Sequence, residues 1–270
     1  MEIRSILVSV GVASGHAGLT YAAHLAETFG AEVVGVAAAE PNLAYAGVDN
    51  SQVAIDFYAM ERKNIEAMLE RAEERFRSAM PASVPVKWRS YIANTTNMLI
   101  DQASRCDIVV VAPADASSPN EMLDAGHLLL ASGRPVITVG TGKSGFSLDR
   151  IVIAWKDTRE ARRAVSDALP LLQRAKQVKA VTRSEGDLGA ETANLNDLIE
   201  WLKLHNVACA SQLVEQGVEF VDALGLLSLH DAPDLVVSGG FGHSRFREWL
   251  FGGVTRDLLD TKDVTRFFSN

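Results

Sequence analysis

The chain repeats itself, and the repeat restricts its fold more than any single motif does. Residues 6–10 (ILVSV) and 151–155 (IVIAW) are apolar runs that each open a segment rich in Ala and Leu. Residues 107–113 (DIVVVAP) and 234–240 (DLVVSGG) stand at matching places later in each segment. Short apolar runs bounded by turn residues read as buried strands, and the longer patterns between them as amphipathic helices. The first segment carries about 18 more residues than the second between its two matched strands. Two copies of one α/β unit follow, with domains expected over 1–142 and 149–270.

Within the first copy, a strand over 3–10 leads to a helix over 17–29 that Gly30 ends, then to a strand over 32–38. Ala54, Phe57, Tyr58, Ile65, Met68, Leu69, Ala72 and Phe76 recur at helical spacing until Pro81 stops them. A strand over 84–90, a helix capped at Asn94 or Thr95, the strand at Asp107, a helix over 120–132 and a strand over 135–139 complete it. The second copy places strands near Arg150, Gln177, Ala208, Asp234 and Val264. Strand and helix in alternation imply a doubly wound parallel sheet with helices on both faces, with ligands at the carboxyl ends of strands where strand order reverses. The extra residues of the first copy fall over 41–51, either as an ordered loop at the domain interface or as a surface insertion.

Composition narrows the function. The net charge is −8 and neither half is basic, which argues against a nucleic-acid surface. No apolar run reaches the length of a spanning helix, and the N-terminus lacks a cleavage pattern, so no membrane partner is expected. Cys106 and Cys209 match no metal-ligand spacing and suit a reducing cytoplasm; Cys209, in an apolar strand, reads as a core residue. His16, His24, His127, His205 and His230 show no ligand spacing, so no metal is expected. No nucleophile elbow is present, and no catalytic residue is assigned.

The candidate site is the stretch 239–255, GGFGHSRFREWLFGGVT, which leaves the apolar run before it. Gly239, Gly242, Gly252 and Gly253 bracket a short amphipathic segment. Glycines let successive amide N–H groups turn toward one anion, and a helix opening at the second pair would add its unsatisfied donors. Such a loop is a phosphate cradle on geometry alone. A rival, GTGKSG at 140–145, fails in context: Ile137 stands where a Walker loop needs glycine, and the stretch runs into a strand instead of opening a helix.

The spacing Gly239, two residues, Gly242, nine residues, Gly252 resembles the G-x2-G-x9-G-(S/T) signature of the universal stress protein family. The resemblance extends to the wider segment 234–259, to the opening of the second copy, and to the tandem layout. It implies two five-stranded doubly wound domains of the adenine nucleotide alpha hydrolase-like kind, a stress-response role, and ATP or ADP, with or without Mg, held without catalysis beyond slow hydrolysis. Ala154, Trp155, Asp157, Thr158 and Val181 would flank the adenosine, while Gly239, Gly242, His243, Gly252, Gly253, Val254 and Thr255 would surround the phosphates. The family habit also implies an intramolecular pseudodimer that pairs into a homodimer.

The sequence departs from the signature at named places. Gly253 stands where nucleotide binders carry Ser or Thr, and Lys156 where the first strand usually ends in Asp. Asp157 either binds ligand or forms a capping box with Glu160. His243, Arg245 and Arg247 either face phosphate or face solvent. In the first copy the corresponding strand ends at Ala112, Pro113, Ala114 and Asp115 without the glycines, so that half is expected not to bind nucleotide. Arg266, in the last strand, either marks a polar or ion-paired edge or points to solvent from a frayed terminus. These departures keep open a second reading, a scaffold that binds a protein partner or another small ligand.

Overall fold

The apolar runs become strands and the 3.6-residue patterns become helices, as the computed structural model shows for residues 2–12, 16–41, 52–112, 120, 123–141, 146–184, 186–214, 232–240 and 263–270. Two compact units result, Ile3–Arg134 and Pro135–Asn270 with Met1–Glu2.

The first unit contains β1 (Ser5–Ser9), α1 (Ala17–Phe29), β2 (Glu32–Ala39), α2 (Gln52–Ala79), β3 (Val86–Ile92), α3 (Thr95–Ala103), β4 (Ile108–Val111) and α4 (Ala125–Ser132). Its strands run parallel in the order β3-β2-β1-β4. Ile6, Leu7 and Val8 of β1 and Ile108, Val109 and Val110 of β4 are fully buried, as a parallel sheet covered on both faces requires. Gly30 ends α1 in the left-handed conformation at φ 65°, where glycine carries no Cβ penalty. Asn94 and Asp124 cap α3 and α4 by accepting from the amides of Asn97 and His127. The helix expected over 120–132 therefore starts at Ala125, where Asp124 supplies the cap. Much of the extra length of this copy is helix, since α2 has 28 residues against 17 in its counterpart α6 (Leu188–Leu204). The loop over 42–51 lies outside the described residues.

The second unit contains β5 (Val136–Thr138), β6 (Arg150–Trp155), α5 (Arg159–Leu172), β7 (Gln177–Arg183), α6, β8 (Cys209–Val214), β9 (Leu235–Gly239) and β10 (Arg266–Ser269). Its strand order is β5-β10-β9-β6-β7-β8, parallel throughout except that β5 runs antiparallel to β10. Arg266 stands opposite Thr138 on one side and Val236 on the other and is only 5% exposed. The solvent-facing reading of this arginine is thus overturned: pairing on both sides makes β10 an interior strand. Asp167 of α5 secures the same strand, accepting from Ser269 Oγ at 2.7 Å and from Arg163 Nε at 2.8 Å.

The repeat is visible in its fastenings. In the first unit Asp107 Oδ2 accepts from the amides of Arg4 and Ser5 at 2.8 and 2.9 Å. In the second, Asp234 Oδ2 accepts from the Arg150 amide at 2.9 Å and from Ser147 Oγ at 2.8 Å. Each aspartate precedes the fourth strand of its copy and ties it to the start of the first.

Candidate functional site

Strand order reverses within the second unit. From β6 the chain moves outward through β7 and β8, then crosses back to β9 on the other side of β6. Ala154 near the end of β6 lies in register with Ser238 of β9 and with Val181 of β7. The carboxyl ends of these three strands therefore meet where an open α/β sheet offers a crevice.

The structure divides the expected site residues between the two faces of this sheet. Ala154 and Val181 share a buried cluster with Val152, Val214, Ala232, Val236 and Val264. Trp155, the next residue along β6, alternates to the opposite face and lines a cavity with Val165 of α5 and Leu198 and Trp201 of α6. Asp157 and Arg162 border that same cavity. Gly242, His243, Gly252, Gly253, Val254 and Thr255 lie outside the described residues, as do Arg245 and Arg247.

Gly239 ends β9 without a left-handed backbone. Its requirement is space: a Cβ there would stand 2.6 Å from the Ala161 nitrogen and 2.7 Å from the Glu160 carbonyl carbon. The strand end thus abuts the first turn of α5 backbone to backbone. In the first unit the small residue sits on the other partner, for a Cβ on Gly18 of α1 would meet the Ala112 Cβ beyond β4 at 3.3 Å.

The start of α5 differs from the expected capping box. Thr158 is the cap, its hydroxyl accepting from the Ala161 amide at 3.2 Å, while Asp157 accepts from Arg162 Nε at 2.6 Å. A residue later than expected, Thr158 has the extended backbone that a cap needs. The Arg162 hydrogen bond holds the Asp157 carboxyl below the usual carboxylate range, against a smaller opposing effect of burial. Glu160 is 3% exposed; its Oε1 lies 3.3 Å from Arg159 Nε, and its Oε2 has no hydrogen-bond partner among the described residues. Sequence reasoning missed Arg162 and the burial of Glu160. The only signal was the density of arginines in the first turns of this helix, Arg159, Arg162 and Arg163.

Cys209 also departs from expectation. It lies on β8, which among the described residues pairs with β7 alone, and is partly exposed. Desolvation pushes its thiol up to about 11. Among the described residues, no group of three or more His, Cys, Asp or Glu could hold a metal, and no helix is long and apolar enough to cross a membrane.

No family model and no curated protein matches the chain. Solved structures do. A universal stress protein from Archaeoglobus fulgidus DSM 4304 superposes with a TM-score of 0.72 at 15% identity, covering 100% of this chain and 97% of that one. A functionally unknown protein from Pseudomonas aeruginosa PAO1 gives 0.61 at 12% identity, covering 99% and 92%. The chain therefore has the fold found in a universal stress protein over its whole length, in agreement with the resemblance read from its glycines.

Proposed function

We propose that the chain is a tandem universal stress protein whose second unit binds ATP or ADP and acts in regulation rather than catalysis. The observation that carries this reading is the meeting of β6, β7 and β9 at a reversal of strand order, with the glycine signature leaving β9 there. Ala154 and Val181 are small and medium apolar residues at the ends of β6 and β7, on the sheet face shared with Val236, and the reading puts the adenosine beside these strand ends. Any Mg2+ would enter with the phosphates, because Asp157 is already engaged by Arg162. The nucleotide, when bound, supplies a charge and shape that the stress-responsive partner would read. A cytoplasmic location accords with two free cysteines, and a homodimer accords with the family habit.

The test is calorimetric titration of the full chain with ATP and ADP, alongside Gly242→Glu, which places a carboxylate in the glycine segment. Saturable binding by the wild type and its loss in the variant are expected. No binding at millimolar nucleotide overturns the reading, and unchanged binding by the variant moves the site elsewhere. Lys156 and Gly253 favour the second reading, a scaffold for a protein partner or another small ligand, which absent nucleotide binding would support.

A further inference from the structure

The two units differ at one helical position beside the end of their first strand. Strand register matches Ile6 of β1 with Ile151 of β6, since each pairs with the second and fourth strands of its copy, at Val33 and Ile108 in one and at Val178 and Leu235 in the other. Gly11 and Val12 therefore correspond to Lys156 and Asp157. The buried positions of the second helices match as well. Leu69, Ala72 and Phe76 of α2 have the spacing of Leu195, Leu198 and Leu202 of α6, so Arg75 corresponds to Trp201. Arg75 Nη2 crosses from α2 to the segment after β1 and donates to the carbonyls of Gly11 at 2.6 Å and Val12 at 3.1 Å. Such bonds from a part-buried guanidinium hold more strongly than neutral ones. Trp201 carries an uncharged ring that rests on His205, with ring centroids 4.3 Å apart. The matching segment after β6 is held from α5, through Arg162 and Asp157. A cavity of about 380 Å³, the size of a small-molecule pocket, lies between α5 and α6, with Trp155, Asp157, Leu198 and Trp201 in its lining.

We propose that this position decides whether a unit's strand end admits a ligand: Arg75 is a latch that shuts the first unit, and Trp201 leaves the second open. A ligand entering beside β1 must break two charge-assisted hydrogen bonds and displace a guanidinium, whereas beside β6 it meets an indole wall. The ligand in question is the adenosine of the proposed nucleotide, set beside Trp155 and Asp157, so the latch as a selector rests on that reading. The first unit is then closed by a side chain as well as by its missing glycines.

Hydrogen exchange and ATP calorimetry on the full chain test the latch together. Arg75→Leu is expected to speed exchange by about tenfold in peptides covering 9–12, and Trp201→Arg, which supplies the latch to the second unit, to slow it in peptides covering 155–158. Trp201→Arg is also expected to weaken ATP by about tenfold, while Trp201→Leu, which stays apolar and brings no donor, holds within about threefold of wild type. Unchanged exchange in Arg75→Leu or in Trp201→Arg overturns the latch. Unchanged ATP affinity in Trp201→Arg, or an equal loss in Trp201→Leu, overturns its role as selector, because a lost aromatic wall would then account for the change. If the wild type binds no ATP, the nucleotide reading fails by itself, and exchange over 9–12 and 155–158 still decides the latch. Should Arg75→Leu fail to fold, as a thermal melt would show, Trp201→Arg decides.

Discussion

At Gly239 a requirement that the sequence suggests for a ligand is met first by packing. With the Ala161 nitrogen 2.6 Å from a would-be Cβ, even alanine must displace backbone. Gly239→Val is expected to destabilise the protein by about 1–3 kcal/mol, read from urea unfolding, because overpacking forces strand and helix apart. Asp157 makes a different prediction. Its folded carboxyl sits below its unfolded value, so the pair's contribution is present above the unfolded pKa and is lost as pH falls through the folded one. Arg162→Ala is expected to raise the Asp157 midpoint toward the ordinary carboxylate value, as a carboxyl-carbon NMR titration would report. Cys209, with its thiol near 11, should be alkylated by iodoacetamide slowly at neutral pH and faster as pH rises toward that value. The glycine spacing was legible in the sequence, but the cap was not. Asp157 and Glu160 have capping-box spacing, and only the backbone shows that Thr158 takes the role.

Among the elements, the helix ends were the most legible because the residues that stop a helix act locally. Gly30 closes α1, and α2 ends at Ala79 just before Pro81. Strand pairing was less so. Apolar periodicity tells that a segment is a buried strand, not which neighbour it takes, and the antiparallel match of β5 with β10 left no local mark. The burial of Arg266 is hidden from the sequence for that reason. The start of α5 offers a test at this scale, because one hydroxyl satisfies a donor that the helix cannot. Thr158→Ala removes that cap and is expected to cost about 0.5–2 kcal/mol in thermal or urea unfolding.

For the whole molecule, one architecture has been used twice with different endings. The two copies share the aspartate fastening and the order of their strands, yet only the second carries the glycine signature beyond its fourth strand. The tandem fold was readable because each copy repeats the same apolar runs in the same order. Which sheet face each strand-end side chain occupies was harder to read, since Ala154 and Trp155 are adjacent in sequence and point to opposite faces. Hydrogen exchange of the full chain with and without saturating ATP decides whether only one of the two related units holds the nucleotide. Slowed exchange confined to peptides spanning 151–158, 178–184 and 232–262 is expected. Slowed exchange at 5–12 and 107–126 instead, or no change anywhere at saturating ATP, would contradict it.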